Sequence, residues 1–270
     1  ILILTLNEEI NLSACLDSVS WCNDVVVLDS YSSDSTIEIA KNRGARVVQR
    51  RFDSFAGQRS YGLDTIDFKY PWVFHLDADE RLTRELAQEC HEAIVRDEHS
   101  GYYVPSKLVL RGKWLRRCAT YPTYQMRFAK IGEVRFTQVG HGQRELGAER
   151  GLGYLREPYI HHGFSKGLED WFEKHNRYST DEARVSQSAR LDWAGLVSAN
   201  GLRRRRALKR LSAHAPARPL VKFLYLYLYR RGFLDGREGL TYCTLQAIYE
   251  YMIAIKAQEL HSGEQTTRPL

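Results

Sequence analysis

The first hundred residues alternate short apolar runs with segments whose apolar residues recur at helical spacing. The short runs predict strands over residues 1–6, 24–28, 45–49 and 72–76, and the second of these strands is predicted to be buried. Acidic or hydroxyl residues followed by helical spacing predict helices over residues 7–19, 34–43, 55–64 and 83–97. This alternation through short links predicts a mainly parallel sheet with helices on both faces. Such sheets bind their ligands at the carboxyl ends of the strands.

The pattern changes after residue 100. Strand-like segments are predicted at residues 101–110, 125–130, 134–137 and 153–160. Helices return at 166–190, near 195–213, at 220–231 and at 237–260, with a break at Pro216 and Pro219. We therefore predict two parts, a mixed α/β domain over residues 1–163 and a helical region over residues 164–270.

Charge is divided unevenly between these parts. The net charge is +6 over 270 residues, yet residues 1–200 carry −2 and residues 201–270 carry +8. Ten basic residues and no acidic residue occur between positions 203 and 231. Such a block binds an anionic partner or lies in solvent. The longest apolar run, residues 223–229, is too short to span a bilayer, so no membrane-spanning helix is predicted.

The cysteines and the first residues indicate the compartment. The five cysteines are odd in number and scattered, without a C-x-x-C pair, which argues against a disulfide framework and a zinc site. The chain begins inside an apolar run without a charged region or cleavage site, so no signal peptide is predicted. A reducing, cytoplasmic setting fits these features best.

Acidic residues follow two of the predicted strands. Asp77 and Asp79 are separated by one residue after the strand at 72–76, so in extended chain both side chains point the same way and suit one hard cation. Asp29 ends the strand at 24–28, before a loop of small residues whose backbone amides can approach a ligand. Alternatively, acids at these positions only favour the start of the next helix.

Several motifs in fixed order resemble glycosyltransferase family 2. They are Thr5-Leu-Asn-Glu-Glu9, Val27-Leu-Asp-Ser-Tyr-Ser-Ser-Asp-Ser-Thr36, Gln58-Arg59, Leu76-Asp-Ala-Asp-Glu-Arg81, and Tyr121-Pro122 with Gln125-Met-Arg127. The likeness extends through residues 161–167, 174–178 and 231–236, and its nearest branch is the bacterial lipopolysaccharide-core β-1,4-glucosyltransferases and their relatives. It implies an α/β GT-A fold, a Rossmann-like nucleotide-diphospho-sugar transferase, here with a C-terminal helical, basic extension.

The resemblance also implies roles for individual residues. The residues that would hold the base and ribose of a nucleotide sugar are Thr5, Asn7, Glu9 and Asp29. Arg59 falls where a basic residue approaches the nucleotide or its diphosphate, and Lys166 is a further candidate for contact with the diphosphate. Asp77 and Asp79 match the D-x-D pair that binds Mg²⁺ or Mn²⁺, with Asp79 as the direct ligand. His161 either completes this metal site or is structural.

The sequence does not assign the general base to one residue. An inverting transferase needs a group that accepts the proton of the acceptor hydroxyl. The lipopolysaccharide branch commonly has an acid after Tyr-Pro, whereas Thr123 follows Tyr121-Pro122 here. The segment Val139-Gly-His-Gly-Gln-Arg-Glu145 predicts a mobile loop with His141 and Glu145 as candidates. Alternatively, Glu145 is a surface acid paired with Arg144 or Arg150.

The C-terminal segment predicts a surface partner. Residues 223–229 alternate aromatic residues with leucine, beside Arg230 and Arg231, which is typical of peripheral binding to an anionic membrane. The alternatives are a packed helical subdomain and a dimer interface, so self-association stays open. Nucleic acid is not expected, because the remaining chain carries no nucleic-acid motif.

Together these features predict a cytoplasmic transferase, peripheral on the inner face of the plasma (inner) membrane. It would move a hexose, with inversion, from UDP-glucose or a similar UDP-sugar to a lipid-linked saccharide in cell-envelope (lipopolysaccharide-type) glycan synthesis. A polyprenyl-phosphate glycosyltransferase is the alternative with the same fold, since an ionised phosphate acceptor needs no strong base. A non-enzymatic anionic-surface binding protein is the other alternative, and it leaves the strand-end aspartates unexplained.

Overall fold

The computed structural model describes residues 1–139, 142–188 and 217–262, with the isolated positions 194, 197, 198 and 204. Two compact units divide the chain. The first comprises residues 1–116 and 121–166, and the second comprises residues 117–120 and 167–270.

The first unit begins with four parallel strands. They are β1 (Leu2–Thr5), β2 (Val26–Asp29), β3 (Arg46–Gln49) and β4 (Trp72–Asp77), in the spatial order β3-β2-β1-β4. Three helices connect them: α1 (Glu9–Ser18), α2 (Thr36–Asn42) and α3 (Phe55–Thr65). The parallel half of the fold predicted from the alternation of strands and helices is thus confirmed.

Both faces of this sheet are buried, so its central strands, β1 and β2, are apolar up to their polar last residues, Thr5 and Asp29. Ile3 and Leu2, neighbours on β1, belong to different core clusters on opposite faces of the sheet. Gly62 permits α3 to pack closely, because a Cβ at that position would lie 2.3 Å from Cδ2 of Leu2. Parallel strands buried on both faces read as continuous apolar runs, as the sequence of β1 and β2 does.

The sheet continues from β4 with strands of mixed direction. They are β5 (Glu80–Arg81), β6 (Gly101–Leu110), β7 (Lys113–Trp114), β8 (Thr123–Lys130), β11 (Leu152–Tyr154) and β12 (Tyr159–His161), with helix α4 (Arg84–Arg96) after β5. The spatial order beyond β4 is β8-β6-β12-β5, and both β7 and β11 also pair with β6. The strand-like segment predicted over 153–160 contains two short strands, β11 and β12, with residues 155–158 between them.

A separate two-stranded hairpin lies between β8 and β11. It consists of β9 (Val134–Val139) and β10 (Gly142–Gly147), paired antiparallel with Glu145 opposite Phe136. Ser60 of α3 fixes β9, because its hydroxyl accepts from the N–H of Phe136 and donates to the Phe136 carbonyl. The prediction of a mobile loop is wrong for residues 142–145, which form a strand. Residues 140 and 141 lie outside the described residues.

The second unit is helical. It contains α5 (Gly167–Ser188), α6 (Arg218–Leu224) and α7 (Gly236–Ser262), with a π-helical turn at Tyr225–Tyr229 and a 3₁₀ turn at Gly232–Asp235. The buried Asp235 carboxylate joins residues 117–120 to this unit, since its Oδ2 accepts the N–H groups of Arg117 and Cys118 at 2.8 Å.

The prolines predicted to break the helices of this unit are Pro216 and Pro219. The predicted break at Pro219 is wrong, because Pro219 occupies the first turn of α6, where its missing N–H costs no helical hydrogen bond. Pro216 and the predicted helix near 195–213 lie outside the described residues, apart from positions 197, 198 and 204. In the part of the chain that is described, no helix combines the length and the apolarity needed to cross a bilayer.

Candidate active site

The polar ends of β1, β2 and β4 lie side by side at one edge of the sheet. β1 is the middle strand of the three, with Thr5 opposite Asp29 on β2 and Leu4 opposite Asp77 on β4. Because all three strands are parallel, their carboxyl ends present these residues and the loops that follow to the same side.

The Asp29 carboxylate organises the loop after β2. It is fully buried and accepts hydrogen bonds from the Thr5 hydroxyl at 2.9 Å and from the backbone N–H of Ser32 at 2.8 Å. The Ser32 hydroxyl, at 2.5 Å, and the Gln49 amide, at 3.4 Å, also donate to it. Asp29 and Thr5 therefore hold the loop of small residues against the sheet.

Asn7 and Glu9 tie the loop after β1 to the same segment. Asn7 has a φ of +54° and its Oδ1 accepts the N–H of Ser33 at 2.8 Å. The Glu9 carboxylate accepts the N–H of Ser35 at 3.0 Å. The side chains of Asn7 and Glu9 are exposed, whereas those of Thr5 and Asp29 are buried. All four predicted base and ribose residues are connected through the loop after β2.

The Asp77 carboxylate lies between two buried guanidinium groups. Arg59 of α3 donates to its Oδ1 at 2.8 Å, and Arg127 of β8 donates to its Oδ2 at 2.7 Å. Burial by itself would raise the pKa of Asp77, but Arg127 and Arg59 outweigh that effect and hold it well below its ordinary value. Burial lowers the pKa of Arg59, and Asp77 opposes this shift. Asp77 is thus a fixed anion.

Arg127 also closes the turn that follows β4. Its Nη2 lies 2.5 Å from Oε1 of Glu80, while Oε2 of Glu80 accepts the backbone N–H of Asp77 at 2.9 Å. Burial, followed by the nearby Asp77, raises the pKa of Glu80, although Arg127 opposes the shift. His75, beneath the turn on β4, has a pKa lowered well below its ordinary value by burial and by both arginines, so it adds no third positive charge.

Asp79 lies next to His161, at the end of β12. The two atoms in contact, Oδ2 of Asp79 and Nε2 of His161, are 3.3 Å apart, and both side chains are partly exposed. Burial lowers the pKa of His161, but the Asp79 carboxylate outweighs it and raises that pKa to about 9. The pairing of β12 with β5, which sets His161 opposite Glu80, brings the two side chains together.

Lys166 reaches the loop after β1. Its ammonium group lies 2.6 Å from Oε1 of Glu8 and 3.4 Å from the Leu6 carbonyl. Burial raises the pKa of Glu8, while hydrogen bonds from Asn11 and Lys166 oppose the shift. Lys166 therefore lies on the same edge of the sheet as Asn7 and Glu9.

Glu145 lies on β10 and accepts a hydrogen bond from the Tyr103 hydroxyl. Gln143 projects from the same face of β10, since alternate residues of a strand share a face, and its Oε1 accepts from Nη1 of Arg59 at 2.5 Å. Arg59 thus connects Asp77 to the strand that carries Glu145. Arg150, one of the two partners proposed for Glu145, instead pairs with Glu133 and Asp97. The other candidate base, His141, lies outside the described residues.

Sequence reasoning did not assign four residues that the structure brings into this site, namely Glu80, Tyr103, Arg127 and Gln143. Arg127 had a signal, because a charged residue between Met126 and Phe128 in an apolar strand requires a buried partner. Glu80 also had a signal, because it directly follows the D-x-D pair. Gln143 and Tyr103 had no such signal in the sequence, since their contacts depend on the β9–β10 hairpin.

Comparisons with known proteins identify the class. A family model described as Glycosyl transferase family 2 matches residues 1–142, which is more than half of the chain. The chain belongs to glycosyltransferase family 2, and its mixed sheet with C-terminal helices is a GT-A fold.

Two relatives show how far the likeness extends. The lipopolysaccharide core biosynthesis glycosyltransferase LpsC of Rhizobium meliloti is 24% identical over 268 residues, covering 96% of this chain and 92% of the relative. A glycosyltransferase of Rickettsia typhi is 25% identical over 273 residues, covering 96% and 86%. This chain is therefore similar over nearly its whole length to both.

A solved structure shows the same fold. The mannosyltransferase PcManGT of Pyrobaculum calidifontis, in complex with GDP-Man and Mn²⁺, matches with a TM-score of 0.50 and 17% identity, over 95% of this chain and 86% of that one. At this identity the match supports the fold alone.

The buried Arg127 pairs generate a stability prediction. Arg127→Met should lower the free energy of unfolding by about 3–5 kcal/mol, because it leaves the buried Glu80 carboxyl group without its cation and removes one of the two arginines that pair with Asp77. Urea unfolding measures this change. Arg135→Met is the matched control, since Arg135 pairs with Asp64 on the surface and its loss should cost less than about 1 kcal/mol. Equal costs in the two variants would show that the Arg127 pairs do not support the fold.

Proposed function

We propose that this family 2 glycosyltransferase transfers a hexose from a UDP-sugar, such as UDP-glucose, to a lipid-linked saccharide of the cell envelope, with inversion and with Mg²⁺ or Mn²⁺ bound. The observation that carries the proposal is the arrangement at the end of β4, where Asp77 is fixed between two arginines and Asp79 lies beside His161. The similarity to LpsC supports a lipopolysaccharide-type acceptor.

The donor site we assign lies on the edge formed by β1, β2 and β4. Thr5 and Asp29 hold the loop after β2, so that Asn7 and Glu9 at its exposed side can contact the base and ribose. Lys166, beside Glu8, and Arg59, beside Asp77, would supply positive charge for the diphosphate. PcManGT binds GDP-Man, which supports a nucleotide-sugar donor in general but does not select uracil.

The residues around Asp79 fit a divalent cation. Within the described residues, no group of three or more His, Cys, Asp and Glu side chains is arranged to hold a metal, so the protein would supply two ligands. The 3.3 Å between Asp79 Oδ2 and His161 Nε2 is near the separation of adjacent ligands with bonds of about 2.1 Å. Gly163 leaves room beside them, because a Cβ there would lie 3.0 Å from His161 Nε2.

Asp77 would then position its neighbour rather than bind the cation directly, since both of its oxygens accept from arginines. When bound, the cation supplies positive charge that stabilises the diphosphate leaving group. Arg59 adds a buried, fixed positive charge beside Asp77, where it can stabilise charge on the leaving group.

The transfer step needs a proton acceptor near the acceptor hydroxyl. The hydroxyl oxygen forms a bond to C1 of the hexose, the bond from C1 to the phosphate oxygen breaks with its electron pair on the diphosphate, and the hydroxyl proton passes to the base. We assign this role to Glu145, oriented by Tyr103 and about 7 Å along β10 from Gln143. His141 stays the second candidate.

The metal assignment predicts a loss of donor binding in Asp79→Ala. Intact protein should gain about 2.7 kcal/mol of stability from UDP-glucose at a hundredfold excess over its Kd in the presence of Mn²⁺. Asp79→Ala should lose most of this gain, because one hard oxygen ligand is removed. Thermal unfolding with a panel of nucleotide sugars, with and without Mn²⁺, measures the effect.

Glu85→Ala, which removes an exposed carboxylate from α4, is the control for Asp79→Ala and should retain the full shift. A full Mn²⁺-dependent shift in Asp79→Ala would remove Asp79 from the metal site. A shift with GDP-mannose in place of UDP-glucose would correct the donor.

The base assignment predicts a change in kcat without a change in donor affinity. Glu145→Gln should lower kcat by about 10²–10⁴, the usual contribution of a general base, while the thermal shift with UDP-glucose stays intact. Glu149→Gln, an exposed residue just beyond β10, is the control and should keep its kcat. A small effect at Glu145, with a large one at His141, would transfer the role to His141.

If neither Glu145→Gln nor a His141 variant lowers kcat, the polyprenyl-phosphate alternative gains support. An ionised phosphate acceptor needs no base, and Thr123 after Tyr121-Pro122 agrees with that chemistry. Turnover with a polyprenyl phosphate as the acceptor would then establish the alternative.

A further inference from the structure

Helix α6 and the π turn after it expose a row of large apolar side chains. Six of them have between 42% and 76% of their surface exposed: Leu220, Val221, Leu224, Tyr225, Leu228 and Tyr229. We call these six residues the apolar strip. Leu226 is the one residue of segment 218–229 that is fully buried. Six large apolar side chains exposed within ten residues form a patch of the kind that marks an interaction surface.

The π turn keeps the strip on one side of the helix. The strip consists of three adjacent pairs spaced four residues apart, and four residues of an α-helix overshoot a full turn by about 40°. The wider π turn, with roughly 4.4 residues per turn, falls short by about 30° over the same step. The backbone bond from Arg230 N–H to the Tyr225 carbonyl, 2.8 Å long and five residues apart, is the π-type bond that produces this correction.

Ring packing supports the same alignment. The rings of Tyr225 and Tyr229 stack with centroids 5.4 Å apart and an interplanar angle of 21°. Both rings are partly exposed, so the pair extends the apolar surface formed by the leucines. Each ring also carries a hydroxyl group, which is polar. Tyrosine is enriched at membrane–water interfaces, because its ring is apolar and its hydroxyl stays in water.

The charge around the strip is basic. Arg230 and Arg231 follow it directly, and no acidic residue occurs between positions 203 and 231. Glu250 of α7 pairs with Arg218 at 2.5 Å and lies 3.7 Å from Lys222, so the positive charge is concentrated at the C-terminal end of the strip. Cations beside an exposed row of leucine and tyrosine complement the anionic headgroups of a bilayer.

We propose that the apolar strip is an interfacial membrane-binding surface, which lays α6 and the π turn in the plane of an anionic bilayer with Arg230 and Arg231 at the headgroups. The proposal deepens the proposed function, because a lipid-linked acceptor would be met at such a surface. Vesicle binding requires neither donor nor acceptor, so this surface is tested separately from the transfer reaction.

Co-sedimentation with vesicles tests the proposal. The full chain should bind vesicles that contain phosphatidylglycerol and should bind phosphatidylcholine vesicles more weakly, and added salt should weaken the former. The double variant Leu228→Ser/Tyr229→Ser should bind at least about tenfold more weakly, because it removes apolar area from the interface. Arg230→Gln/Arg231→Gln should lose the dependence on anionic lipid.

The matched control is Leu240→Ser/Tyr251→Ser. It removes one leucine and one tyrosine from α7, 43% and 57% exposed, and the variant should bind vesicles like the unchanged chain. Circular dichroism and the UDP-glucose thermal shift should be unchanged in all three variants, because every altered side chain is exposed or partly exposed and none lies in the donor site.

Three results would overturn the proposal. The first is failure of the unchanged chain to bind anionic vesicles at low salt. The second is an equal loss of binding in the α7 control. The third is a dimer that Leu228→Ser/Tyr229→Ser converts to a monomer while neither form binds vesicles, since a second copy of the chain would then cover the strip.

Discussion

The buried contact of Arg127 with two carboxyl groups determines the shape of the candidate site. One nitrogen, Nη2, donates to both Asp77 and Glu80, and Glu80 in turn accepts the backbone N–H of Asp77. These bonds close the turn between β4 and β5, so Asp79 has a defined position in the middle of it. Asp77 and the buried Glu80 lie three residues apart and would repel each other more strongly without this cation, and Arg59 supplies a second positive charge to Asp77.

Much of the surrounding geometry follows from that turn. β5 begins at Glu80 and pairs with β12, which sets His161 beside Asp79. On the opposite side, Arg59 joins Asp77 to Gln143 on β10. The Asp77 carboxylate and the turn after it therefore help to position both the candidate metal ligands and the strand that carries the candidate base. These elements come from distant parts of the sequence.

The sequence predicts the parallel half of the fold and its polar edge because those features are local. Strands β1, β2 and β4 are largely apolar, β3 has two valines between polar ends, and aspartates end β2 and β4. The hairpin is harder to predict, since β10 contains glycines at both ends and polar residues between, and its stability comes from pairing with β9 and packing on α3. The partners of Arg127 are likewise 47 and 50 residues away, so only the burial of a charged strand residue indicates that partners exist. Asp29 is buried and bonded to Thr5 and Ser32, so it supports the loop from inside, and its contact with the base or ribose stays a prediction.

The π turn at Tyr225–Tyr229 also restricts how this segment can change in length. A π turn is equivalent to an α-helix that contains one additional residue, so deleting one residue from it would restore regular α-helical hydrogen bonding without breaking the helix. The five residues of the turn, at roughly 4.4 residues per turn, cover about 410° around the helix axis, and four α-helical residues cover about 400°. A one-residue deletion within the turn should therefore leave the direction of the following chain nearly unchanged. A one-residue deletion within the α-helical part, Arg218–Leu224, would instead rotate the following chain by about 100°.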